Sequence, residues 1–224
     1  MKKVICLSLL SIIILVLISG AALAENNRLD VFNYNSSSEM IEIDIEIPKF
    51  KDNFSRADRY NQEFINNGLD FVFDLNEMAA RDYESIKDEE WEFRPYNATI
   101  RYELQKYDDI ISLNFYHYQY TGGAHGLTYK FSYNIDKETG QQLELNDFLA
   151  RKDLTLKDVN DKIKEDIKAN PGDYYSGLDF SGIRKDQDYY LRDSVLVIYF
   201  QQYEVAPYAF GFPEIEIKYW YRKC

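Results

Sequence analysis

The apolar and polar positions change period several times along the chain, and each change marks an element. Ile41, Ile43, Ile45 and Ile47 alternate with Glu42, Asp44 and Glu46. That period of two predicts a strand with one buried face, which Pro48 is expected to limit. At Ser55-x-x-Asp58, which resembles a capping box, the spacing turns helical. Tyr60, Phe64, Gly68, Phe71, Leu75, Met78 and Tyr83 fall on one face and predict a long helix over 56–86, with Asn66-Asn67-Gly68 as its weak point. Strands are predicted over 97–104 and 110–120, joined by a turn at Tyr107-Asp108-Asp109. In the second of these, Ile111, Leu113 and Phe115 share a face with His117. Another strand over 127–135 runs into Asp136-Lys137-Glu138-Thr139-Gly140, where Gly140 is a natural left-handed position.

Leu143 and Leu145 lead into a short turn at Asn146-Asp147-Phe148-Leu149. Thr155-x-x-Asp158 is a second capping box, opening a helix whose apolar face is Leu156, Val159, Ile163 and Ile167 and which Pro171-Gly172 stops. A polar and aromatic loop over 173–182 precedes an apolar strand over 194–203, an aromatic turn at 203–208, and a last strand with Ile215, Ile217 and Tyr219 alternating. The class is α+β: antiparallel sheet packed with one long and one shorter helix. Two closely associated subdomains are expected, over 39–120 and 121–222.

The N-terminus changes the picture of where this fold works. Met1-Lys2-Lys3 is followed by an apolar run over 4–18 and the small-residue site Ala22-x-Ala24. This reads as a secretory signal peptide over 1–24, cleaved after Ala24, so no membrane anchor is expected to remain. The polar stretch 25–38 reads as a flexible spacer. Cys6 would be lost with the leader, leaving only Cys224 and no internal disulfide, so stability must come from a core rich in 14 Phe and 20 Tyr. Without Lys2 and Lys3, 24 basic residues face 38 acidic ones, a formal charge of −14. Nucleic acids and anionic lipids are therefore poor partners, and a cationic partner would be attracted.

The densest candidate for chemistry is Tyr120-Thr121-Gly122-Gly123-Ala124-His125-Gly126, with three of ten glycines and one of two histidines. His117 is the only other histidine, which is too few ligands for a histidine-based metal site. There is no Gly-x-Ser-x-Gly elbow, and Gly122-Gly123 lacks the Lys-Ser/Thr of a phosphate loop. With 38 acidic residues, no carboxylate pair stands out. No catalytic residue, metal or cofactor is assigned. His125 is expected to hydrogen-bond neighbouring backbone and fix the turn. Tyr116, Tyr118 and Tyr120 alternate along one strand face and read as core. The turn Pro207-Tyr208-Ala209-Phe210 is the better contact candidate, because loops carry function and this one is aromatic.

These segments together resemble a known pair of domains. Thr121-Gly122-Gly123-Ala124-His125-Gly126, the Asp136 to Gly140 turn, Leu143-Glu144-Leu145-Asn146-Asp147-Phe148 and Tyr203-Glu204-Val205-Ala206-Pro207-Tyr208-Ala209-Phe210-Gly211 carry the likeness. The first half fits through Ile43 to Phe50 and Asn61. The set is similar to the paired extracytoplasmic domains of RsiV-type anti-sigma factors and PdaC-type peptidoglycan deacetylases, over about 39–222. The resemblance implies a binding module with a lysozyme-like protein as ligand, or a peptidoglycan-binding module accessory to cell-wall enzymes. Neither an anti-sigma segment nor a deacetylase catalytic segment is recognised. Ligand contacts are expected at Tyr120, His125, Tyr203, Glu204, Pro207, Tyr208 and Phe210.

Overall fold

The computed structural model describes residues 28–86 and 92–219. The expected leader 1–24, Cys6 and Cys224 lie outside the described residues. The class is α+β, with a six-stranded and a three-stranded sheet. The larger sheet is β1 (Leu29–Ser37), β2 (Ile41–Phe50), β3 (Tyr96–Tyr107), β4 (Ile110–Tyr120), β5 (Leu127–Asp136) and β6 (Gln141–Gln142), paired in that order. All neighbours are antiparallel except β2 and β3, which run parallel and are joined by the long helix α1 (Ala57–Ile86). A parallel pair needs such a crossover, so α1 lies across one face of the sheet.

α1 matches the apolar period and buries Tyr60, Phe64, Gly68, Leu75 and Ala79. Gly68 is a packing glycine here: a Cβ would come 2.4 Å from Ile47 Cδ1, so a side chain at this position would have to displace that methyl group. Ser55 is not the helix cap, because Arg56, at φ 66°, stands between it and the helix. Pro48 does not end β2. Phe50 gives its N–H and C=O to the Asn61 side chain, away from β1, and Pro48 two residues earlier faces the same way. β3 pairs with β2 only over Ile41 to Ile45, so the missing N–H of Pro48 falls where no ladder needs it.

Two expected boundaries move. The stretch 25–38 is not a spacer where it is described: Leu29–Ser37 is a strand, paired through nine residues with β2. The division at 120/121 cuts a continuous sheet, because β5 and β6 hairpin back onto β4 and the six strands end only at Gln142. Gly140 takes the expected left-handed turn at φ 63°, pressed against the Ser55 backbone.

The rest forms the second unit. Leu145–Arg151, expected as a short turn, is a helix (α2) burying Leu145, Phe148 and Leu149. α3 (Leu156–Ala169) opens on a complete capping box between Thr155 and Asp158. Both pack on a sheet of β7 (Tyr189–Arg192), β8 (Val195–Tyr199) and β9 (Glu214–Lys218). The expected strand 194–203 is shorter, because Phe200 turns to pair with Pro213 and Tyr203, at φ 66°, bends the chain. β7 was not foreseen. Its open edge rests on the larger sheet, where Ser112 Oγ accepts from Leu191 N–H (2.9 Å) and Asn134 Nδ2 donates to the Tyr189 carbonyl (2.8 Å).

Candidate functional site

The glycine–histidine turn between β4 and β5 meets the segment that leaves β8. Gly122 sits at φ 82°, and at Gly126 a Cβ would lie 2.3 Å from the Tyr118 ring, so the turn closes against that ring. Tyr120 O–H donates to the Gly123 carbonyl at 3.0 Å and braces the turn from within. His125 emerges exposed at its tip. Its Nδ1 lies 2.9 Å from the Gly126 carbonyl, which can only accept, so Nδ1 carries the proton. Nε2 is then the acceptor for the Tyr203 hydroxyl at 3.1 Å. The backbone bond expected of His125 is present, together with a second one across 78 residues of sequence.

Tyr203, Glu204, Pro207, Tyr208 and Phe210 come from one loop, and the fold holds it firmly. Val205 and Ala206 are buried, and the Val205 carbonyl accepts from Tyr175 N–H at 3.0 Å. Two adjacent glutamines tie the loop to the open edge of β5. Gln201 accepts from Lys130 N–H (3.2 Å) and donates to its carbonyl (2.6 Å), while Gln202 accepts from Thr128 N–H (2.9 Å). The amide side chains replace a missing seventh strand. Pro207 then starts a short 3-10 turn, Tyr208–Phe210.

Three rings line up on this frame. Tyr208 stacks on His125 with centroids 4.1 Å apart, and Tyr203 lies 5.6 Å from Tyr208 and 6.4 Å from His125. Tyr203 and Phe210 remain 46% and 45% exposed, so the rings form a surface instead of a core. Tyr203 keeps a left-handed backbone, which costs a non-glycine residue about 1 kcal/mol and fixes where its ring points. Acidic groups lie alongside. Glu204 accepts from Gln201 N–H and pairs with Arg184, which also reaches Asp186 and Asp188, each at 3.5 Å. Burial pushes the Asp188 carboxyl up, partly offset by the Gln201 hydrogen bond.

His125, Tyr203 and Tyr208 are thus brought into contact, with Glu204, Pro207 and Phe210 on the same loop; Tyr120 supports the turn and stays outside the stack. Sequence reasoning missed Gln201, Gln202 and Arg184, and also Lys130. The Lys130 side chain is 1% exposed, 4.4 Å from the Tyr190 and Tyr199 centroids, with Glu214 Oε1 at 2.5 Å. A lysine at an alternating strand position reads as solvated, and only the Gln201-Gln202 pair after an apolar run hinted at an edge to be covered. Among the described residues, no group of three or more His, Cys, Asp or Glu is placed to hold a metal ion. An exposed aromatic surface with an acidic margin is equipped for binding.

Comparison with known proteins finds two family models in tandem along the chain. Residues 34–128 match the family described as "Deacetylase PdaC", and residues 146–220 match "Protein of unknown function (DUF3298)". A DUF3298 member from Bacteroides fragilis, of known crystal structure, is 20% identical over 85% of this chain and 89% of its own, with a TM-score of 0.52, and shows the same fold. A DUF3298 protein from Pseudomonas aeruginosa PAO1 is 17% identical over 85% of this chain and 90% of its own, at a TM-score of 0.46. No curated protein matches the chain.

Proposed function

The chain carries a PdaC-type domain followed by a DUF3298-type domain, and on that premise we propose a non-catalytic binding module of the cell envelope that recognises a basic, lysozyme-like protein. The observation that carries this reading is the exposed stack of His125, Tyr203 and Tyr208 beside Glu204 and Asp186. Rigid aromatic residues at the centre of a contact supply most of its energy, and the surrounding acidic charge steers a cationic partner toward it. The leader 1–24 is taken as cleaved, placing the module outside the cytoplasm, where such a ligand would be met.

Binding of a basic lysozyme to the purified chain from Glu25 onward, measured by calorimetry at low and physiological salt, tests the reading. Tyr208→Ala is expected to weaken binding by ~2 kcal/mol, or ~30-fold, while leaving the melting curve close to wild type. Absence of binding at micromolar concentration at either salt overturns it. The second reading is a peptidoglycan-binding module. It draws on the same rings, since exposed tyrosine faces can also stack on sugars. Co-sedimentation with purified cell wall, in the absence of lysozyme affinity, favours it.

A further inference from the structure

We propose that the open edge of β1 pairs two copies of this chain, β1 against β1, about a two-fold axis at Asn33. Of the other edges, β7 is met by Ser112 and Asn134 and β5 by Gln201 and Gln202, while β9 carries Glu214, Glu216 and Lys218 along its open side, charges that discourage strand addition. Among the described residues no strand pairs with the outer side of β1. Lys51 N–H donates to the Arg28 carbonyl, so Asp30, Phe32 and Tyr34 bond inward to β2. Val31, Asn33 and Asn35 therefore turn their N–H and C=O groups to the open side. Along this edge the Val31 carbonyl accepts a long hydrogen bond from the Asn33 side-chain amide (3.4 Å), which a partner strand would displace; an edge of nine residues with one charge, Asp30, is a template for another strand.

Beside this edge runs a groove. Phe32 and Tyr34 lie across from Ile47 and Ile45, on the side covered by α1, yet α1 packs over β2 and β3 and leaves the two rings 45% and 47% exposed. Phe32 and the α1 flank at Asp58, Gln62 and Ile65 line a cleft of about 400 Å³. Four and eight residues beyond Ile65 come Leu69 and Phe73, the most exposed large apolar side chains described, and at the far end Tyr83 O–H donates to Glu39 in the β1–β2 turn. The apolar strip thus follows the whole length of β1.

The strip fits a second copy because its sequence is symmetric about an edge-facing residue. With Asn33 opposite Asn33 of the second copy, Phe32 meets Tyr34, Val31 meets Asn35 and Asp30 meets Ser36, so rings pair and no like charges oppose. Centring on Val31 would set Phe32 against Asp30, and centring on Asn35 would set Tyr34 against Ser36, losing the ring pairs. β1 with the α1 flank supplies roughly half of the ~20–30 residues a side of a standard interface, so the dimer is weak and concentration-dependent. The formal charge of −14 on the chain from Glu25 onward opposes it, and salt strengthens it. Capture of a basic ligand at the C-terminal site has the opposite salt dependence, so the two ideas fail separately.

Sedimentation equilibrium of the Cys224→Ser chain from Glu25 onward, from ~1 μM to ~1 mM at two salt concentrations, tests this without a disulfide route to dimers. A micromolar monomer–dimer equilibrium that tightens with salt is expected. Asn33→Pro removes an edge-facing N–H and the side-chain amide bonded to Val31 without touching the ladder to β2, and Phe32→Asp charges the ring pair; each should weaken association ~10-fold or more, with unchanged circular dichroism in dilute solution. A monomer throughout the range, or a dimer that both variants leave intact, overturns the proposal.

Discussion

The two faces of β4 are built on opposite principles. Ile111, Leu113, Phe115 and His117 point toward α1 into a dry, aromatic core, where Phe64 lies 4.9 Å from Phe115 and 4.8 Å from Tyr133. Ser112 and Asn114 point the other way, toward the second unit, and are equally buried but polar. Ser112 donates to Asn134 (2.7 Å), and Ser132 to Asn114 (2.7 Å). The α1 face obtains its stability from area removed from water, which is indifferent to small shifts. Hydrogen bonds on the opposite face fail if the second unit slides by one residue, so that face sets register. One strand therefore serves as core on one side and as a docking plate on the other.

Perturbing each face should separate these roles. The largest effect is expected from Phe64→Ala on the dry face, ~3–5 kcal/mol in a urea or thermal melt, because the ring cluster around it cannot collapse. Next is acid. Burial lowers the His117 pKa to about 4 from its ordinary 6.5, so between these values the unfolded chain binds a proton that the folded chain refuses. Stability contributed by neutral His117 is complete above pH 6.5 and falls as pH drops toward 4, by up to ~3 kcal/mol. His117→Phe should flatten that part of the stability profile; a slope unchanged by the substitution would place the titration elsewhere. The smallest effect belongs to the polar face: Ser112→Ala strands the Leu191 N–H and should cost ~1–2 kcal/mol. It should also loosen amide-exchange protection in β7 more than in β4. Equal loss in both strands would mean that the two faces are not distinct in role.

Legibility in the sequence followed burial on one side. α1 and β4 were readable because each has one dry face and therefore a clear period. β1 was not, since Asn33, Asn35, Ser36 and Ser37 look like a linker, and it is a strand only because β2 offers nine paired residues. β7 hid for the opposite reason: Tyr189, Tyr190 and Leu191 are buried on both sides and show no alternation. α2, at seven residues, is too short to display a helical period.

The candidate site divided along the same line. The amino-acid sequence determined its local parts by itself: a glycine at Gly122, where the turn takes positive φ, a proline opening a 3-10 turn, and a net acidic charge. It could not bring His125 to Tyr203, bury Lys130 among tyrosines or cover the edge of β5 with Gln201 and Gln202. Those depend on contacts between residues 60 or more positions apart, whose energies exist only once both units have folded and docked. Local conformation is a property of neighbouring residues, whereas a binding surface is a property of which strands end up side by side.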